Sequence, residues 1–301
     1  MRRLFVFTAG IIMSGLLLAR IDVQQLALPV QMTVTAEARR GKEVPELKQG
    51  DVMVFEKNQR LPVTELRTGG PLELFILIDD ASAMSLGLQL SNLRQFIETQ
   101  PETTAIGIGY TRNATVEVLQ NPTTDHVVAA KALRLPLGYS GVMPSPFLAL
   151  SDLIKRWPAS TGRREVLLVS SGADPMGGGI SDPYLYSAIE HAQRAGVIVY
   201  AIYTPASGHE GHSFFQMNWG QNHLAQIAEE TGGESYMLGF GPPRAFEPYL
   251  AELSEHLVHQ YVVTFLANAG AKAGFQSVRF ATEVPNTEIV SANRVYVPVA
   301  H

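Results

Sequence analysis

Cysteine is absent from this 301-residue chain, and charged side chains are scarce. Without cysteine the chain has no disulfide bond, thiolate zinc site, iron–sulfur cluster or cysteine nucleophile. Charged residues make up 17% of the sequence, below the roughly 25% that is usual in globular domains. The 23 Lys and Arg do not outnumber the 28 Asp and Glu, so no basic surplus exists to neutralise phosphates. A nucleic-acid partner is therefore not expected.

The N-terminus has the pattern of an export signal. Arg2 and Arg3 precede a mostly apolar run of 15 residues, Leu4 to Leu18. This run is shorter than the roughly 20 residues of a spanning helix and suits the apolar region of a signal peptide. We expect residues 1–27 to be a leader for export to the periplasm or beyond, with cleavage favoured over retention as a short anchor. No later segment reaches the length of a membrane span.

The two ends of the remaining chain read as short strands. Val30 to Ala36 alternates apolar and polar residues with period two, which is typical of a half-buried strand. We expect residues 28–69 and 261–301 to pair into one small β-domain. The other predicted strands are Asp51 to Phe55, Leu61 to Leu66, Gln260 to Leu266, Gly274 to Ala281 and Arg294 to Val299.

Residues 70–260 have a different pattern, in which buried strands alternate with amphipathic helices. Leu72 to Ile78 is almost continuously apolar, as in a parallel strand covered on both faces. Asp182 and Pro183 form a helix start, and Gly196 ends that helix. A shorter helix is expected at Asn222 to Thr231. The alternation predicts an α/β domain with a doubly wound, mostly parallel sheet, inserted between the halves of the β-domain.

Three segments resemble the motifs of von Willebrand factor type A (VWFA) domains, a Rossmann-like family. Phe75 to Met84 is similar to the first motif, Asp-x-Ser-x-Ser, and Val166 to Asp174 to the later strand that usually ends in Asp-Gly. Ser145 to Leu150 is similar to the segment that holds the family's Thr ligand. Val34 to Leu66 and Leu253 to Tyr296 resemble the flanking parts of an exported acidobacterial group of these bacterial proteins.

The resemblance implies a metal-ion-dependent adhesion site (MIDAS) for Mg²⁺ or Mn²⁺, made of oxygen ligands. Asp80, Ser82 and Ser145 match three of the five ligand positions. The site is degenerate at the other two, where Met84 offers a thioether and Ser171 lacks a charge. Residues that could compensate are Asp79, Ser85 and Asp174. The competing interpretation is that Asp80 and Ser82 cap the following helix.

A second group of candidate residues lies in a later Gly-rich segment. His209, His212 and His223 could bind zinc in a metal-assisted hydrolase, although the spacing is not that of a helical zinc-protease motif. The His209 to Trp219 stretch also contains Phe214 and Phe215, which would form either an aromatic contact patch for a partner or part of the core.

The expected function is that of an exported, non-enzymatic interaction module with a protein partner. In this interpretation the loops at the strand ends bind the partner, with or without a metal at Asp80. Two alternatives stay open. The chain could be the histidine-dependent hydrolase, or a cell-envelope scaffold with no ligand site.

Overall fold

The computed structural model describes residues 27–41, 43–158, 162–207, 213–236, 245–270 and 272–299. The predicted leader and both His209 and His212 lie outside these residues. The strands are β1 (Ala27–Ala38), β2 (Met53–Glu56), β3 (Gln59–Leu61), β4 (Val63–Thr68), β5 (Leu72–Asp79), β6 (Thr104–Arg112), β7 (Thr115–Thr123), β8 (Arg163–Ser170), β9 (Val197–Tyr203), β10 (Ser235–Tyr236), β11 (Gln260–Asn268), β12 (Gly274–Ala281), β13 (Thr287–Ser291) and β14 (Arg294–Val297). The α-helices are α1 (Leu90–Glu98), α2 (His126–Lys131), α3 (Pro146–Arg156), α4 (Pro183–Ala195), α5 (Phe214–Thr231) and α6 (Glu247–Val258).

A six-stranded sheet forms the centre of the α/β domain, in the order β10-β9-β8-β5-β6-β7. All neighbouring strands are parallel except β6 and β7. Numbered within this domain alone, the order is 6-5-4-1-2-3, which is the Rossmann order with an antiparallel edge strand. The predicted doubly wound fold class is therefore confirmed by the sheet itself.

Helices cover both faces of this sheet, which explains the continuous apolar run of β5. Ile76 and Ile78 belong to a core that includes residues of α1, α2 and α6. Phe75 and Leu77 point to the opposite core, with residues of α3, α4 and α5. Both faces of β5 are thus removed from water, as in other parallel sheets.

The helix boundaries of α4 follow from local chemistry. The Asp182 side chain accepts hydrogen bonds from the backbone N–H groups of Tyr184 and Leu185, and Pro183 occupies the first turn. Gly196 ends the helix in the left-handed conformation, with φ of 64°. Both ends match the sequence prediction.

The N- and C-terminal strands form two antiparallel sheets, β13-β1-β11-β4 and β14-β12-β2-β3. Val34 of β1, Val54 of β2, Phe265 of β11 and Phe280 of β12 share one hydrophobic core. The β-domain predicted from both ends of the chain is therefore present. We call it the β-sandwich.

Four elements differ from the sequence prediction. The predicted strand Leu61 to Leu66 is divided into β3, which ends at Leu61, and β4, which begins at Val63 and belongs to the other antiparallel sheet. Strands β10 and β13 were not predicted, because each is short and carries little periodicity. Helix α5 begins at Phe214 rather than Asn222, since the Ser213 side chain accepts a hydrogen bond from the backbone N–H of Gln216 and starts the helix there. In the described part of the chain, no helix is both long and apolar enough to cross a membrane.

Candidate functional site

The candidate site lies where the strand order reverses, between β5 and β8. Ligands of open α/β sheets bind beyond the carboxyl ends of the strands at such a switch point. Strand β5 ends at Asp79 and β8 at Ser170, so their loops begin side by side. The first residue before α3, Ser145, also reaches this edge through its contact with Asp174.

The Asp79 side chain forms hydrogen bonds within the edge of the sheet. One carboxylate oxygen accepts hydrogen bonds from the Thr111 hydroxyl at 2.8 Å and the Ala81 N–H at 3.0 Å. The other accepts one from the Ser170 hydroxyl at 2.8 Å. Burial raises the pKa of Asp79 despite these hydrogen bonds. Asp79 therefore joins β5, β6 and β8 and has little capacity left to compensate for a missing metal ligand.

Asp80, the residue that matches the leading MIDAS aspartate, is paired with an arginine. Its carboxylate is fully buried and binds the Arg134 guanidinium through two hydrogen bonds, of 2.6 Å and 2.8 Å. The backbone N–H of Leu137 donates a third, at 3.2 Å. Such a two-pronged contact is the strongest geometry between these groups. The positive charge next to Asp80 is therefore supplied by the protein itself.

Arg134 is held in place from several directions. Its guanidinium lies 3.8 Å from the centre of the Tyr110 ring, within the range of a cation–π contact. The Tyr110 hydroxyl donates to the Arg134 carbonyl at 2.7 Å and accepts from the Arg134 N–H at 2.8 Å. The hydrogen bond to Asp80 raises the pKa of Arg134, so the guanidinium stays charged.

The next positions along the loop do not complete a metal shell. The Ser82 hydroxyl is buried and has no hydrogen-bond partner in the described residues. Met84 and Ser85 are exposed in a 3-10 helix, Met84–Gln89. The residue before that helix is Ala83, and no side chain caps it. The alternative interpretation, in which Asp80 and Ser82 cap the helix, is therefore wrong.

Ser145 and Asp174 form a separate group. The Ser145 hydroxyl donates to the Asp174 carboxylate in a short hydrogen bond and accepts one from the Leu148 N–H, which caps α3. Burial raises the pKa of Asp174 to about 6. The Ser171 hydroxyl accepts a hydrogen bond from the Ala173 N–H of its own loop, at 3.3 Å.

These contacts do not fit the donor set that Mg²⁺ or Mn²⁺ requires. Both oxygens of Asp80 are taken by Arg134, and a guanidinium at this place repels a cation. Ser145 is bound to Asp174 rather than to Asp80, so the predicted ligands fall into two groups. Of the three matched positions, Asp80, Ser82 and Ser145, only Ser82 has a side-chain oxygen without a hydrogen-bond partner in the described residues. One hydroxyl does not hold a hard divalent cation.

His223 and Asp174 both line a cavity of about 300 Å³, whose wall also contains Trp219, Gly178 and Gly179. The imidazole is buried against the Phe147 ring, and neither ring nitrogen has a hydrogen-bond partner in the described residues. The other two histidines of the predicted zinc cluster lie outside the described residues.

Exposed apolar side chains are concentrated on the loops around this site. In the described part of the chain, 17 large apolar side chains are exposed, and 11 of them lie on these loops or on the helical segments that directly continue them. They are Met84, Leu88, Leu135, Leu137, Tyr139, Val142, Met143, Met176, Ile180, Phe214 and Phe215. We call this surface the strand-end face.

The loops of the strand-end face are tied to one another. The Leu135 side chain packs over Gly87, and the Val142 N–H donates to the Asn113 side chain at 2.8 Å. The Ser207 hydroxyl donates to the Ser82 carbonyl at 3.2 Å. The exposed side chains are therefore presented by connected loops rather than by isolated ones.

The aromatic residues at the start of α5 belong to the same face. Phe214 and Phe215 contact each other edge to face, and Phe215 lies 6.4 Å from the Trp219 ring. Both phenylalanines are more than half exposed. The interpretation that these two side chains form part of the core is therefore wrong.

Comparison with known proteins gives likenesses among solved structures only. No protein-family model matches the chain. No curated protein matches it either.

The similar solved structures include an aerotolerance-related membrane protein from Bacteroides fragilis NCTC 9343 with multiple mutations to serines. Its identity with this chain is 14% and the TM-score is 0.44, over 62% of this chain and 98% of that one. The ArnB paralog VWA2 from Sulfolobus acidocaldarius is similar at 11% identity and a TM-score of 0.39, over 91% of this chain and 76% of that one. The SpRpn10 VWA domain is similar at 12% identity and a TM-score of 0.40, over 61% of this chain and 95% of that one. These chains include VWA domains, in line with the motifs, but TM-scores below 0.5 are too low to carry an inference. The fold class therefore rests on the strand order.

Sequence reasoning missed Arg134, which decides the chemistry of the site. This residue is 54 positions from Asp80 and belongs to no motif. The only available signal was the presence of an arginine just after a short helix that leads to the same edge of the sheet.

Proposed function

We propose that this protein is a non-enzymatic interaction module that binds a protein partner through its strand-end face, without a divalent cation at Asp80. The observation that carries the proposal is the concentration of 11 exposed apolar side chains on the loops around the switch point. Large exposed apolar patches commonly mark interaction sites, whereas single exposed apolar side chains are ordinary on protein surfaces.

The charges around the face support independence from metal. Asp80 is neutralised by Arg134, and Arg134 also lies 3.7 Å from Glu117. Glu117 in turn lies 3.8 Å from Arg112. An acidic partner residue would therefore meet no open cation at this place.

The partner's chemistry follows from the composition of the face. Met, Tyr and Phe side chains, which are enriched in protein interfaces, stand beside aliphatic ones such as Val142 and Ile180. Charged groups near them are already paired with each other. The partner is therefore expected to present an apolar surface, and salt is expected to have little effect on affinity.

Export is part of the proposal and rests on the sequence alone. Arg2, Arg3 and the apolar run that follows have the pattern of a signal peptide. The partner is then to be sought in the cell envelope or outside the cell.

Site-specific photo-crosslinking in the cells that make the protein tests the interaction. A photoreactive phenylalanine analogue replaces Val142, which is 84% exposed on the face, or Val258, which is 67% exposed on α6 and serves as the control. We expect one discrete crosslinked protein from position 142 and none from position 258. The product is expected to persist in EDTA and to disappear when Ile180→Asp is added.

The same experiment defines the contradicting results. Identical products from both positions, or none from Val142, would show that the strand-end face is no specific docking surface and would favour the scaffold interpretation. If EDTA abolishes the crosslinked product but the Asp80→Asn variant still forms it, the interaction requires a metal bound at a place other than Asp80.

The hydrolase remains a second proposal, favoured by the unpartnered nitrogens of His223, which lines the same cavity as Asp174. It requires stoichiometric zinc that is lost in a His209→Gln/His212→Gln double variant. Absence of zinc binding by the wild-type protein at these residues would rule it out.

A further inference from the structure

A second cluster of polar side chains lies far from the strand-end face, where the β-sandwich meets the α/β domain. Glu37 lies near the end of β1, Glu234 directly precedes β10, and His256 is in the last turn of α6. His256 Nε2 is 3.8 Å from a Glu37 oxygen, and its Nδ1 is 3.7 Å from a Glu234 oxygen. Three segments distant in sequence thus converge on one imidazole.

The spacing of these groups suits a metal ion better than direct hydrogen bonding. Both nitrogen–oxygen distances are longer than a hydrogen bond, which has a heavy-atom distance of at most about 3.2 Å. One ligand atom from each of the three residues lies within 4.8 Å of the other two. A zinc ion binds a single imidazole nitrogen at about 2.0 to 2.1 Å and carboxylate oxygens at about 2.0 to 2.2 Å. The carboxylate beside the other ring nitrogen must therefore turn toward the first nitrogen to complete the group.

Several carboxylates lie close together at the cluster. Glu37 and Glu288 lie directly opposite each other in the β1–β13 pair. The contact of Glu288 with Arg39 is 3.9 Å long and on the exposed side. A bound cation would relieve the repulsion among these carboxylates.

A hydroxyl without a hydrogen-bond partner lies in the same short segment as Glu234. Tyr236 follows Glu234 by two residues, so both side chains point to the same side of the chain. The Tyr236 hydroxyl is buried without a hydrogen-bond partner in the described residues, while the residue is only 3% exposed. The Tyr236 ring stacks on Tyr249 of α6, the helix that also carries His256, with 5.5 Å between the ring centres. Such a donor suits an outer-shell contact to a metal-bound carboxylate or water.

We propose that Glu37, Glu234 and His256 form a binding site for a divalent transition metal, with Zn²⁺ as the best fit, which joins the β-sandwich to the α/β domain. One imidazole and two carboxylates are ligands that zinc accepts, and three protein ligands leave one position for water. The metal fixes β1 against α6 and stabilises the folded chain, because it binds the folded state and not the unfolded one. This site is independent of Asp80 and of the proposed partner surface.

Calorimetric titration of ZnCl₂ into metal-stripped protein without a histidine tag tests the site, together with thermal unfolding. We expect one saturable site and a rise in the unfolding midpoint of roughly 5 °C or more at saturating zinc. The absorption spectrum of bound Co²⁺ reports directly on a site with few ligands and tetrahedral geometry.

Matched variants locate the ion. His256→Gln and Glu37→Gln are expected to abolish both the binding heat and the midpoint shift, whereas His259→Gln, at the residue directly after α6, is expected to keep them. Glu234→Gln serves as a further ligand variant if Glu37→Gln fails to fold, because the Glu234 side chain is partly exposed. Zinc binding that survives in His256→Gln but is lost in His209→Gln/His212→Gln overturns the proposal, as does the absence of saturable binding.

Discussion

Replacement of Arg134 by methionine tests whether this residue neutralises the buried carboxylate of Asp80. Methionine keeps much of the apolar stem over the Tyr110 ring and removes the guanidinium. Asp80 then stays buried with the Leu137 N–H as its remaining strong contact. The variant should lose stability because a buried charge is left without its partner.

The magnitude follows from the geometry of the pair. Two unit charges about 4 Å apart attract each other by about 4 kcal/mol at an effective dielectric constant near 20. Breaking a buried pair costs 3–5 kcal/mol, roughly, in comparable cases. The Arg134 side chain is 29% exposed, so solvent screening places the expected loss at the lower end, about 3 kcal/mol.

A double-mutant cycle in urea separates the pair from its surroundings. The four proteins are wild type, Arg134→Met, Asp80→Asn and the double variant. We expect a coupling energy of about 2 kcal/mol or more, with the double variant more stable than Arg134→Met alone. If Arg134→Met unfolds within about 0.5 kcal/mol of wild type, or the coupling is near zero, Arg134 does not neutralise Asp80.

Three further predictions concern the core and the loops. Burial raises the pKa of Glu165 from 4.5 to about 7, so the folded chain holds this proton more tightly than the unfolded chain. The stability that the protonated side chain provides is therefore lost as the pH rises through that interval. The free energy of unfolding of Glu165→Gln minus that of wild type, measured in urea, should therefore be up to about 3 kcal/mol larger near pH 8 than near pH 4. The same difference at both pH values would refute this prediction. Ser145→Ala removes the cap of α3 and should lower the free energy of unfolding by about 1 kcal/mol. Loss of the hydroxyl should also raise the pKa of Asp174 above about 6, as measured by carboxyl-carbon NMR. An unchanged titration of Asp174 would contradict the hydrogen bond. Gly172 has φ of 67°, and a Cβ there would lie 2.1 Å from the Gly220 carbonyl oxygen, whereas Gly178 has φ of 83° and open space. Gly172→Ala should thus cost about 2 kcal/mol or more, and Gly178→Ala about 1 kcal/mol; equal losses in thermal unfolding would show that the close approach does not matter.

Much of the fold could be predicted because its signals are local. The apolar run of β5 indicates burial on both faces, and the two cores confirm it. Asp182 and Gly196 mark the ends of α4 through hydrogen bonds and backbone geometry within a few residues. Helix α5 begins eight residues before the predicted Asn222, and Gly220 within it allows the helix to approach the Ser171 backbone.

The site itself depended on contacts between distant segments. Asp80 and Ser145 were chosen by motif, but the sequence could not tell that Arg134 would bind the first and Asp174 the second. Each pairing joins residues from different loops, and neither partner is set by spacing. Likewise, Glu37 of β1 and His256 of α6 are far apart in the sequence and become neighbours only in the folded chain.

Calorimetric titration of Mg²⁺ and Mn²⁺ into the wild-type protein tests the central claim most directly, namely that Arg134 takes the place of a cation at Asp80. Asp80→Asn and Glu37→Gln are measured alongside, because the second cluster also contains carboxylates. We expect no saturable binding that depends on Asp80. One-site binding that is lost in Asp80→Asn and retained in Glu37→Gln would contradict the account and restore a metal-dependent mechanism.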